Sequence, residues 1–156
     1  MSGKAVRETL AALGVIASMV FVGWEIRQNT SATRSATQNA IYDAGRQGTF
    51  AVIANAPLVE VIVAVENDPS LLDTLDGTVE GRILQGFWIA RLNEMENAYL
   101  HHREGTLGEE AWAGWQGYIV EQASRRPFRH YWNLFNNRYG PGFQAMIVDL
   151  LLDRDA

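Results

Sequence analysis

Leu13-Gly-Val-Ile-Ala-Ser-Met-Val-Phe-Val-Gly-Trp-Glu-Ile-Arg-Gln-Asn-Thr30 is the stretch whose reading decides the fold. It sits inside a longer tract, Leu10 to about Ala54, that contains no proline. A tract of that length without a breaker predicts one long helix. Its two halves differ in chemistry. Thr9–Trp24 is uncharged, whereas the part after Glu25 is polar and spaced with alanines. The first half suits lipid and the second suits a helical bundle.

At 1.5 Å per residue the uncharged run rises about 24 Å, short of the hydrocarbon core of about 30 Å that usually takes about 20 residues. Ala5, Val6 and Ile26 lengthen it, and Lys4, Arg7 and Arg27 can snorkel to the interfaces. Trp24 stands where an interfacial aromatic belongs. A single-pass anchor is the expectation, with residues 1–26 as anchor and 27–156 as a helical domain. The competing readings are a helix buried in a soluble assembly and a cleaved signal peptide. The last fits worst, because no A-x-A-like site precedes a change of composition. Lys4 and Arg7 on one side nearly balance Arg27 and Arg34 on the other, so charge does not orient the span.

Past Ile26, small residues recur every fourth position at Ala32, Ala36, Ala40, Ala44 and Gly48. Gly14 and Ser18 repeat the spacing within the apolar half. Such a row lies along one helix face and lets a second helix approach closely, in lipid or in water. The row is therefore expected to be a packing seam, against a second copy or a later helix of the same chain.

Asn55-Ala-Pro57 ends the long helix. Leu58–Glu66 is rich in β-branched residues, but no strand partner accompanies it, so a short helix is expected. Asn67–Ser70 is expected to be a loop, with Thr78 the N-cap of a major helix from Val79 to His102 closed by Gly105. Leu84, Trp88, Met95 and Tyr99 share one face of that helix, and Ile83, Phe87, Ala90 and Ala98 another. It is apolar most of the way round, which predicts a central position and makes it the natural partner for the alanine row. Gly108 caps the next helix, and Leu107 staples onto Trp112. Pro127 opens a fifth helix with Phe128, Tyr131, Trp132 and Phe135 inward, and Gly140-Pro141-Gly142 separates it from a last amphipathic helix. The fold class is all-α: a long N-terminal helix continuing into a five- to six-helix array.

Composition excludes several functions. The 156 residues, 47% hydrophobic and 20% charged, suit a globular domain with a real core. The net charge of −5 comes with scattered basic residues, unlike the concentrated basic face of a nucleic-acid binder. Cysteine is absent, which removes disulfides and thiolate metal sites. There is no Gly-x-Ser-x-Gly elbow and no phosphate-binding glycine loop.

One polar constellation stands out. Glu94, Asn97 and His101 recur at i, i+3 and i+7 on the central helix, and if buried they need partners. Tyr42 and Arg46, late in the long helix, are the expected ones. A structural network is the plainer reading and a small-ligand pocket the sharper one. A metal site is disfavoured: no Glu-x-x-His pair is present, and the neighbouring His101 and His102 point about 100° apart on a helix. Arg125, Arg126 and Arg129 form the densest basic cluster, suited to a solvated helix end or to lipid headgroups. The aromatics Trp112, Trp115, Tyr118, Tyr131, Trp132, Phe135 and Tyr139 either fill a core or line an apolar pocket.

The segment Leu13–Thr30 resembles the N-terminal motif "LGVIASxVFVGxEIRQNT" of a family of uncharacterised bacterial proteins. In that family an apolar helix precedes an all-helical domain. Glu96–Leu107 with Trp112 is similar to the family's "ENAYLxxREGTL…W" segment. The resemblance implies a membrane-associated helical protein and no activity; the expected location is the bacterial inner membrane, as a single-pass protein, and no cofactor is expected. The expected role is that of a scaffold, accessory subunit or assembling unit. Its expected partners are membrane lipid and either further copies of itself or a larger membrane complex, and not nucleic acid. The alternative is a small-molecule- or metal-binding helical domain, and possible enzyme, built on the Glu/Asn/His stripe.

Overall fold

The computed structural model describes residues 3–152, and among them are six α-helices, two short 3₁₀ turns and no strand. Side chains at 4–6, 8–9 and 11–12 lie outside that description. With them go Lys4, Ala5 and Val6, which were expected to extend and flank the span. The helices are α1 (Gly3–Ile53), α2 (Ala56–Asn67), α3 (Val79–Arg103), α4 (Glu109–Ala123), α5 (Arg126–Phe135) and α6 (Pro141–Leu152). The chain divides into two compact units, one up to Ala36 and one from Thr37 onward.

In the first unit the apolar side chains of α1 are open on every side. Leu13, Ile16, Met19, Val20, Phe21 and Trp24 are all more than half exposed. The hydroxyls turn back onto their own helix: Ser18 donates to the Gly14 carbonyl and Thr30 to that of Ile26, each at 2.8 Å. Among the described residues no single helix is long and apolar enough to cross a membrane. A bent pair, Leu13–Ile53 with Ala56–Asn67 at 91°, meets the requirement by length and composition alone.

The second unit is organised around α3, which packs against α2, α4, α5 and α6. Leu84, Leu92, Met95 and Ala98 bury one face of it almost completely. Phe128, Tyr131, Trp132 and Phe135 of α5 are inward as the spacing required, as are Phe143 and Ile147 of α6. The aromatics form a continuous stack. Trp88 lies parallel to Tyr131 at 6.1 Å, and Trp132 lies parallel to Tyr139 at 5.8 Å. The core reading therefore holds for most of the aromatic set.

Caps explain the helix boundaries. The Asn55 side chain accepts from the Leu58 N–H at 3.2 Å, and Thr78 Oγ1 accepts from that of Gly81 at 3.0 Å. Gly105, at φ 71°, takes the left-handed conformation that closes α3. Asn67–Ser70 is more ordered than a loop. Asp68 accepts from the Ser70 N–H at 3.0 Å and caps a 3₁₀ turn, Pro69–Asp73, that buries Leu72. Gly81 is required by close approach, since a Cβ there would collide with the Leu75 carbonyl.

As a seam against α3, the alanine row requires a correction at Ala40 and Ala44. Ala40 and Ala44, the part of the row that lies in the second unit, are exposed, and α3 does not cover them. The face of α1 that joins the domain runs instead through Ile41, Gly45, Gly48 and Val52. Only Gly48 belongs to both sets. The reason is the anchoring side chain: Ile41 is buried and supplies apolar area that no alanine can.

Candidate functional site

The polar stripe on α3 does not converge on one site. Glu94 pairs with Arg91 of its own helix, Nη1 to Oε2 at 2.8 Å, with both side chains largely covered. Asn97 is exposed. His101 finishes α3 by local bonding. The Thr106 hydroxyl donates to the His101 carbonyl at 3.0 Å and lies 2.9 Å from His101 Nδ1. With its proton committed to the carbonyl, that hydroxyl accepts from Nδ1–H, which fixes the tautomer. The expected partners from α1 are also elsewhere. Arg46 pairs with Asp43 at 2.8 Å in solvent, and Tyr42 is exposed. Neither reaches Glu94, so the network centred on Tyr42 and Arg46 is replaced by an Arg91–Glu94 pair. Position 91 is one turn before Glu94, where an arginine competes successfully with any residue from another helix.

Gly48 of α1 lies over this pair. A Cβ at Gly48 would come 3.0 Å from Glu94 Oε1 and 3.8 Å from Arg91 Nη1. Arg91 also extends over the Phe87 ring, 5.4 Å from its centroid. On either side of the pair is a cavity, and both cavities are lined by Arg91 and Tyr118. One, of about 590 Å³, lies between Ile41–Thr49 of α1 and the Ala111–Tyr118 stretch of α4. The other, of about 390 Å³, lies between α2, α3 and the α4–α5 junction, with Val65, Leu84 and Trp88 at its base. Burial pushes the Tyr118 phenol above its ordinary pKa, with the charges of Arg91 and Glu94 acting in opposite directions. Tyr118 is consequently a neutral hydroxyl between the two cavities at any physiological pH.

The basic cluster at the α4–α5 junction is a set of ties. Arg125 bridges Glu66 of α2 at 3.1 Å and Glu121 of α4 at 2.6 Å. Arg126 pairs with Asp73 at 2.9 Å, and Arg129 Nε donates to the Ala123 carbonyl at 3.0 Å. Arg125 and Arg126 also reach the rim of the smaller cavity. Sequence reading placed this cluster at a helix end but did not bring it together with Arg91, because the two are joined only through the packing of α2, α3 and α5.

Glu96 is a second residue that spacing did not single out. Its Oε1 accepts from the Gly140 N–H at 2.6 Å and so pins the start of α6 to α3. His102 stacks on Trp112 with 4.6 Å between ring centroids, away from His101, as the angular argument required. Among the described residues no group of three or more His, Asp or Glu side chains is placed to hold a metal ion.

Compared with known protein families, curated proteins and solved structures, the chain matches none. The class that the fold defines is an all-helical domain carried on a long N-terminal helix.

Proposed function

We propose that this chain is a single-pass, membrane-anchored helical protein of the bacterial inner membrane that acts through protein contacts, as a scaffold or accessory subunit. The observation that carries the reading is the uncovered apolar surface of α1 between Leu13 and Ile26, where the side chains stand open. Covering a Val, Leu, Ile, Met or Phe side chain is worth about 1.5–3 kcal/mol, so a surface of this kind stays in water only at great cost. Lipid covers all faces of a helix at once. The inward-turned hydroxyls of Ser18 and Thr30 remove polar groups that lipid would not satisfy. The resemblance of Leu13–Thr30 to the bacterial anchor motif agrees with this reading.

The protein-contact half rests on the row Ala32, Ala36, Ala40 and Ala44, of which Ala40 and Ala44 are left open by their own unit. Another helix, from a second copy or from a larger membrane complex, is its expected occupant. The Glu94, Asn97 and His101 stripe no longer supports a ligand site, since its members point into three separate environments.

Alkaline carbonate extraction of membranes tests the anchor. The full chain stays in the pellet, and a chain lacking residues 10–26 is released. Release of the full chain would refute the anchor. Ala36→Leu with Ala40→Leu tests the contact: cross-linked oligomers in native membranes decrease, while the domain's own melting does not change.

A further inference from the structure

The smaller cavity has the composition of a binding site for a compact apolar anion. Its volume of about 390 Å³ falls within the usual range for small-molecule pockets, roughly 300–1,000 Å³. Its base and walls are apolar, made by Ile62, Val65, Leu84, Phe87, Trp88 and Pro127. Leu84 and Val65 are almost fully buried, and Trp88 is held by Phe128 and Tyr131, so these walls are set before any ligand arrives. Arg91, Arg125 and Arg126 line the same cavity, together with Gln122 and Tyr118.

Three guanidiniums beside one apolar cavity call for an explanation, because each already has a carboxylate partner. The pairs use Nη1 of Arg91, both Nη atoms of Arg125 and Nη2 of Arg126. A guanidinium carries five N–H donors in a rigid fork. Glu94, Glu66, Glu121 and Asp73 therefore hold the forks in place and leave other N–H groups: Nε and Nη2 of Arg91, Nε of Arg125, Nε and Nη1 of Arg126. Glu66 is the only acidic side chain among the cavity's own lining residues. A neutral apolar ligand would fill the base but leave these donors without a ligand partner. The pairs set four carboxylates against three guanidiniums, so the preference for an anion rests on these directed N–H donors and not on net charge.

We propose that this cavity binds an apolar carboxylate, an aryl or short acyl acid whose body rests on Trp88 and Leu84 and whose carboxylate is received by Arg91, Arg125 and Arg126. The proposal is independent of the membrane anchor. It concerns only the unit beginning at Thr37.

The test uses the full chain in zwitterionic lipid nanodiscs, with 5-fluorotryptophan in place of its five tryptophans. The Trp88 ¹⁹F resonance is assigned with Trp88→Phe. The probe is 2-naphthoate, and 2-naphthamide is its neutral counterpart. Empty nanodiscs measure partition into lipid. The expected result is a saturable shift of the Trp88 resonance with 2-naphthoate, while Trp24 does not move. The amide binds at least about tenfold more weakly, as expected for a lost charge-assisted hydrogen bond. Arg125→Gln with Arg126→Gln weakens the acid by a similar factor without affecting the amide. Ile62→Phe, which fills the cavity wall, abolishes both. Unshifted positions of the other four resonances show that each variant is folded; where the double glutamine variant fails that check, Gln122→Glu, which adds a negative charge at the rim, must weaken the acid selectively. An unmoved Trp88 resonance, equal binding of acid and amide, or equal shifts at all five tryptophans would each overturn the proposal.

Discussion

Two stretches of helix in this protein have nearly the same chemistry and opposite surroundings. Leu84, Trp88, Leu92 and Met95 of α3 are covered by the chain itself, Leu92 and Met95 to 0% exposure. Leu13, Ile16, Met19 and Phe21 of α1 are equally apolar and stand 56%, 57%, 70% and 58% exposed. Apolar character alone thus does not say what covers a helix. What separates the two is their polar punctuation. The α3 helix carries Arg91, Glu94 and Glu96 at positions where neighbours supply partners. Between Leu13 and Val22 the only side-chain hydroxyl of α1 is that of Ser18, and it is satisfied on its own helix. Charged residues at intervals suit a helix whose neighbours supply partners, and a run without them suits one whose surroundings need supply none.

That contrast is broken or sharpened by substitutions on its two sides. The largest effect belongs to the covered side. Phe128→Ala removes a fully buried ring and is expected to cost about 3–5 kcal/mol in chemical denaturation of the detergent-solubilised chain. Phe21→Ala, on the open side, is expected to change the same measurement by less than about 0.5 kcal/mol. Gly81→Ala comes next, at about 1–3 kcal/mol, because the added methyl meets backbone rather than a movable side chain. Thr78→Ala removes the α3 cap and should cost about 1 kcal/mol, with Thr78→Ser recovering most of it.

The smallest effect is the pH dependence at the alkaline end. Burial raises the phenols of Tyr118, Tyr131 and Tyr139 above their ordinary value. A raised pKa in the folded state means that the folded chain holds these protons more tightly than the unfolded one. The associated stability is fully present below the ordinary tyrosine pKa of about 10 and declines as pH rises above it. Thermal melts between pH 8 and 11 should show that decline, and Tyr118→Phe should make it shallower.

The fold was legible because its signals are local. Proline at 57, 127 and 141 and the caps at Thr78 and Gly108 mark helix starts, and the inward residues of α5 and α6 follow helical spacing. Asp68 was missed as a cap because Asn-Asp-Pro-Ser reads equally as a loop, and the difference depends on Leu72 finding the core. The candidate site was mostly illegible. Spacing draws attention to Glu94, but its partner is Arg91 from the same helix. Arg125 and Arg126 reach the same cavity from residues more than thirty positions later in the sequence. Spacing within one helix cannot show which charges meet when several helices pack. The alanine row shows that regular spacing does not name its partner: of the two it allows, a later helix or a second copy, α3 leaves Ala40 and Ala44 open, and the less regular set Ile41, Gly45, Gly48 and Val52 joins the domain.

The absence of cysteine makes the central claim directly measurable, since a single introduced thiol is the only labelling site. Spin labels at Val20→Cys and, separately, at Gln47→Cys can be compared in lipid vesicles for collision with oxygen and with a water-soluble nickel chelate. The account predicts that the label at position 20 meets oxygen freely and the chelate hardly at all, with the reverse at position 47. A position-20 label as open to the chelate as that at position 47, or one shielded from both reagents, would contradict a lipid-covered helix.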